Sequence, residues 1–211
     1  MKGAGNKTTA TESKGGGDVE MLRRVGPIAL TVLAMAFVAI RFIGGARETL
    51  ARTRDGACVA LQPDPLPDFL RNGPTPDFQL PDASGRTVSL SQQRGHPVFL
   101  NFWATWCPPC VDEVPAIEDL ARRLKGTDMR MLAVSVDDEW EQIRRFFAKG
   151  SDIGVLLDKS HDIPKKFGTE KFPETFMIDS AGRIRYYFIN KRDWDSGVAE
   201  TCIRSVIEEA S

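Results

Sequence analysis

Histidine is almost missing from this chain: His96 and His161 are the only two among 211 residues, and they lie far apart, each in a stretch that reads as a loop. No histidine base of the Ser/Cys hydrolase kind is evident, and no Cys/His set has zinc-site spacing beyond one cysteine pair. A positive excess is missing too. With 28 basic and 29 acidic residues there is no net field to hold a nucleic acid, so none is expected as a partner. No internal repeat of about 20–50 residues occurs, which excludes solenoids and propellers. Cysteine is scarce, four in all: Cys58, Cys107, Cys110 and Cys202. Neither a metal nor any other cofactor is expected.

What is present changes along the chain. Residues 1–22 are rich in Gly, Thr and Lys and nearly lack large apolar side chains, so they read as a disordered tail. From Val25 to Ile40 sixteen residues carry no charge, and Arg41 is followed by Phe42 and Ile43. About 20 apolar residues cross a bilayer, and 23–45 reaches that length if Arg41 snorkels to the interface. A retained transmembrane anchor is the favoured reading. A cleaved signal peptide ending near Gly44-Gly45-Ala46 and a buried globular helix are the alternatives. Lys2, Lys7, Lys14, Arg23 and Arg24 before the span give a slight preference for an inside N-terminus over Arg41, Arg47, Arg52 and Arg54 after it. An even cysteine count in an anchored chain fits an oxidising compartment. Residues 46–76 hold Pro63, Pro65, Pro67, Pro74 and Pro76, a density that resists helix and sheet interior and reads as a linker.

The compact domain is expected over 77–211. Two short strands flank a turn at 82–85, and the apolar run 97-PVFLNFW-103 suits a buried strand. Val111, Val114, Ile117, Leu120, Ala121 and Leu124 form a helical stripe over 108–125, ending at Gly126. A strand at 129–136, a helix capped by Asp138 and running to Lys149, a strand at 154–158, a short helix near 160–167, two strands at 174–178 and 183–189, and a helix over 196–210 complete the series. Crossover helices imply parallel pairs and the two late strands an antiparallel edge, hence an α/β fold with a mixed central sheet and helices on both faces.

Cys107 falls between the buried strand and the amphipathic helix, at the N-cap, with Pro108 at the first helical position, where proline is preferred. A thiolate there is stabilised by the helix dipole and free amides. Cys110 lies one turn in, within reach of a disulfide, so Cys107 is expected to attack and Cys110 to resolve. An N-cap normally accepts from the second and third helical amides. The second is Pro109, which has none. The Cys107 pKa should therefore fall less than in strongly oxidising dithiols, and the couple should sit nearer about −270 mV than about −120 mV.

FWATWCPPC followed by EVP, with FPETFMID some sixty residues on, resembles the membrane-anchored thioredoxin-like proteins of the TlpA/ResA type. The resemblance covers 77–211. It implies a thioredoxin fold on the periplasmic or extracytoplasmic side of the cell membrane and reduction of disulfides in exported client proteins, of the kind needed for cytochrome c or oxidase copper-site maturation. It also implies a membrane thiol transporter as electron donor. Pro173, after Phe172, would be the cis-proline facing the dithiol, leaving the preceding backbone free to pair with a client strand. Trp106 and Pro108 would flank the client, while Trp103 reads as packing. Glu113 matches an acidic residue that tunes the cysteines, and Glu174 matches the PET of the cytochrome-maturation branch. Asn101 stands where thioredoxin has a buried aspartate, which leaves Glu113 as the candidate base for Cys110. The competing view is that Glu113 is a first-turn acid favoured by the helix dipole.

Cys58 and Cys202 either form a structural disulfide that ties the proline-rich segment to the last helix, or remain free thiols. The cluster 137-DDE-139 reads as helix capping. A non-catalytic or peroxidatic relative, peroxiredoxin or copper metallochaperone, is the alternative class. A peroxidase would need Thr-x-x-Cys with a supporting arginine, whereas this loop holds Trp-Cys-Pro-Pro-Cys.

Overall fold

The computed structural model describes residues 31–45 and 56–208. The chain divides into two compact units, Met1–Leu50 and Ala51–Ser211. In the first, 31–45 is helical and its Leu33, Met35, Phe37, Val38, Ile40 and Phe42 are exposed. Among the described residues no helix is long and apolar enough to cross a membrane. The tail, residues 23–30 of the expected anchor and the segment after it to residue 55 lie outside the described residues.

In the second unit the elements after a helical turn at 56–60 are α1 (Asp68–Asn72), β1 (Gln79–Pro81), β2 (Thr87–Ser89), β3 (Val98–Trp103), α2 (Pro108–Arg123), β4 (Arg130–Ser135), α3 (Trp140–Phe146), β5 (Gly154–Leu157), α4 (Asp162–Lys166), β6 (Glu174–Ile178), β7 (Ile184–Ile189) and α5 (Gly197–Glu208). The five-stranded sheet runs β5-β4-β3-β6-β7, with β3, β4 and β5 parallel and β6 and β7 antiparallel to their neighbours. This is the mixed sheet that the pattern of elements predicts.

β3 is central and buried along its whole length, as a strand covered on both faces must be. Its alternating side chains divide the core. Phe99 and Trp103 join Ile117 and Leu120 of α2 and Ile203 and Val206 of α5 on one face. Val98, Leu100 and Phe102 join Ile163, Phe167 and the hairpin residues Phe78 and Leu80 on the other. In the β1–β2 turn Asp82 accepts from the amides of Ser84 and Arg86, and Gly85 takes φ +81°.

Two expectations need correction. The helix after β4 starts at Trp140 with Glu139 at its N-cap, in a capping box with Gln142, so Asp138 is not the cap and the helix stops at Phe146. The segment 46–76 is not only a linker. From residue 56 onward it carries buried Cys58, Leu61 and Leu70 and the helix α1, which begins directly after Pro67. The arm 58–64 ends against β7: the Asp64 amide donates to the Tyr187 carbonyl at 2.7 Å and its carboxylate accepts from the Ile189 amide at 2.7 Å. At the opposite margin an isolated bridge joins Asp82 to Leu156 of β5.

Candidate active site

The buried apolar β3 drives the chain to the C-terminal end of the sheet, where α2 begins. Pro108 and Pro109 occupy its first two positions and stand exposed. Cys107 is the N-cap, and its Sγ accepts one backbone bond, from the Cys110 amide at 3.3 Å. Pro109 supplies none, as its lack of an N–H requires. The two cysteines form a disulfide. Cys107 keeps 5% exposure while Cys110 has none, so the solvent edge of the pair lies on the Cys107 side.

The turn before Cys107 is held from β4. The buried Asp137 carboxylate accepts from the Thr105 amide at 3.1 Å, the Thr105 hydroxyl at 2.6 Å and the Ser135 hydroxyl at 2.6 Å. Sequence reasoning placed Asp137 in a capping cluster; nothing local reveals that it faces backward to residue 105. Trp103 is buried between Phe146 and Phe147. Trp106 is exposed, and its ring meets Phe172 edge-on with centroids 6.1 Å apart. The Phe172–Pro173 bond is cis. The Trp106–Phe172 contact sets the loop of Pro173 beside the Cys107 turn. Glu174 shapes that loop: its buried carboxylate accepts from the Tyr187 hydroxyl at 2.7 Å and from the Lys171 amide at 3.3 Å, and burial raises its pKa.

Glu113 lies one turn beyond Cys110 and is 1% exposed, so it is not a solvated first-turn acid. Its Oε1 accepts from the Trp194 indole and from the Arg192 amide at 2.9 Å; Asn101 Nδ2 stands 3.5 Å from Oε2 and donates to Thr175 at 3.0 Å. Burial pushes the carboxyl up from 4.5 to about 7, against these donors. Asn101 Oδ1 has no partner among the described residues. Its amide can turn to serve either form of Glu113, donating to the carboxylate or accepting from the carboxylic acid. Neither Arg192 nor Trp194 was singled out from sequence. A lone tryptophan within the polar run 190-NKRDWDSG-197 was the available signal.

The structure joins Cys58 to Cys202 of α5, with both side chains fully buried. Around this bridge the Arg192 guanidinium donates to Leu61 O at 3.0 Å, Gln62 O at 3.1 Å, Ile189 O at 2.6 Å and the Asp64 carboxylate at 3.0 Å.

The profile of the AhpC/TSA family matches residues 72–187, more than half of the chain. The chain belongs to the AhpC/TSA family. A curated relative, the thiol-disulfide oxidoreductase ResA of Geobacillus thermodenitrificans, is 34% identical over 111 residues, 52% of this chain and 64% of that protein. This chain thus spans less than two thirds of that relative's length. A crystal structure described as thiol:disulfide interchange protein DsbE from Chlorobium tepidum superposes with a TM-score of 0.58 at 29% identity, over 63% of this chain and 94% of that one. StoA of Bacillus subtilis, at 20% identity and a TM-score of 0.52 over 60% of this chain and 96% of its own, shares the fold.

Proposed function

We propose that this chain is a thiol:disulfide oxidoreductase that reduces disulfides in exported client proteins. The observation that carries the reading is Cys107 at the N-cap of α2, disulfide-bonded to a fully buried Cys110, with the Phe172–Pro173 loop against the exposed Trp106. In the reduced protein the Cys107 thiolate attacks one sulfur of a client disulfide, forms a mixed disulfide and releases the first client thiolate. Glu113 accepts the Cys110 proton, and the Cys110 thiolate attacks Cys107 Sγ, releasing the second client thiolate. Two electrons have then passed to the client, and the pair rests in the oxidised form seen here. Trp106, Pro108, Phe172 and the backbone before Pro173 form the surface on which the client segment lies.

The relatives named as ResA and DsbE support this class of chemistry. The apolar stretch 23–45 supports a single-pass tether in the cell membrane, with the domain on the extracytoplasmic side. A membrane thiol transporter would return electrons to the pair, and the clients would belong to cytochrome c or oxidase copper-site maturation. Insulin reduction driven by a dithiol tests the activity: turnover is expected from the wild type and none from Cys107→Ser. Cys110→Ser expressed in cells should accumulate mixed disulfides with clients; absence of any such adduct, together with absence of insulin turnover, would overturn the proposal.

A further inference from the structure

Arg192 has many partners, and they come from two directions. Its side chain gathers the arm, through Leu61 O, Gln62 O and the Asp64 carboxylate, and closes its own loop through Ile189 O. Its guanidinium also lies over the Phe188 ring, 5.7 Å from the centroid. Its backbone amide donates to Glu113 Oε1. Two residues on, the Trp194 indole donates to the same oxygen, and its ring packs edge-on against Phe99 at 4.9 Å and Phe188 at 5.3 Å. The loop 190–194 therefore has the arm on its outer side and the buried carboxylate on its inner side. The arm is fastened by the Cys58–Cys202 bridge.

We propose that Arg192 is a positioning residue for Glu113, and that the Cys58–Cys202 bridge, by fastening the arm on which the guanidinium rests, belongs to the same device. The proposal rests on the reading of Cys107 and Cys110 as the exchanging pair only in what it means for catalysis; the geometry stands without it. Among the described residues the groups that act on Glu113 are Asn101 from β3 and Arg192 and Trp194 from the loop after β7, while Cys110 lies one turn before it on α2. Arg192 is the one charge among them, and Asp64 stands behind it. The guanidinium and the two N–H donors favour the carboxylate, while burial favours the acid. A loop held firmly keeps both donors on Oε1. A loop released from the arm loses them, and the carboxyl holds its proton to higher pH. The Cys58–Cys202 bridge thereby sets how readily Glu113 can take the proton of Cys110.

The test reads the protonated-carboxyl infrared band of the oxidised full-length protein against pH, with Glu113→Gln identifying the band. Arg192→Gln should move the midpoint upward by about one unit, a tenfold change in proton affinity. Cys58→Ala/Cys202→Ala, which leaves Cys107 and Cys110 intact, should move it in the same direction. Combined with Arg192→Gln it should add little, since both act through one contact. Thermal melts establish that each variant is folded. If Arg192→Gln does not fold, Arg192→Lys, which keeps the charge but loses the fork, should show a smaller upward shift. An unchanged or lowered midpoint in folded variants overturns the proposal. Fully additive shifts, or a bridge-free variant matching the wild type, overturn the part assigned to Cys58 and Cys202. Loss of the exchange reading would show separately, as a wild type that does not reduce insulin.

Discussion

Replacing Pro109 by alanine would return the amide that the N-cap lacks. In the structure Cys107 Sγ accepts from the Cys110 amide alone, at 3.3 Å, and position 109 is the second helical residue, whose N–H would ordinarily point at the cap. A hydrogen bond to a charged acceptor contributes about 1.5–3 kcal/mol. The Cys107 side chain is only 5% exposed, so solvent screens such a bond weakly. Taking the lower end, because the sulfur already shares one donor, the thiolate gains about 1.5 kcal/mol, which lowers its pKa by about one unit. The dithiol form is stabilised relative to the disulfide, and the potential rises by about 20–30 mV near neutral pH. Thiolate absorbance against pH gives the first quantity, and equilibration with glutathione buffers gives the second. An unchanged or raised pKa in Pro109→Ala, with the fold intact, would refute the claim that the Pro-Pro pair moderates this cysteine. A wild-type potential above about −180 mV would refute it from the other side.

Glu113 links stability to pH. Its carboxyl is raised from 4.5 in the unfolded chain to about 7 in the fold, so its contribution is fully present below about 4.5 and is lost as pH rises through about 7. The difference amounts to about 3 kcal/mol, and Glu113→Gln, which cannot titrate, should flatten urea-unfolding stability across that window; a slope equal to that of the wild type would count against it. Opening the Cys58–Cys202 bridge, which closes a separation of 144 residues, should lower stability by up to about 5 kcal/mol, read as a fall in the melting temperature of Cys58→Ala/Cys202→Ala. Asp137→Ala strips three donors of their acceptor and should cost about 1–3 kcal/mol. It should also slow insulin reduction through the loosened Thr105 turn, and unchanged turnover would show that the turn holds itself.

The order of strands and helices was legible because the buried strands are mostly apolar runs, broken only by residues such as Asn101 in β3, and each large helix carries a stripe, so local pattern and global fold agree. The N-cap cysteine was legible for the same reason: it marks the switch from one period to the other. The arm was not. Its prolines signal extended chain, and they conceal that a five-residue helix fits between Pro67 and Gly73, with Leu70 turned inward. The partners of Glu113 were also hidden. Residues 79 and 81 positions downstream meet it only once β7 is in place, and no spacing rule reaches that far. Asp137 illustrates a smaller failure, in which an acid of the run 137–139 caps nothing and instead supports the turn at Thr105 after β3.

The outermost strands of an open sheet expose unpaired backbone that invites foreign chains to stack on them. Here β7 is met by the Asp64 stretch and β5 by the bridge at Asp82, so both rims are partly occupied by the protein's own chain. A protein that, on the reading proposed above, works among half-folded partners gains from such blunted rims. Visitors are steered away from the margins, and the molecule is less apt to become a template for their aggregation.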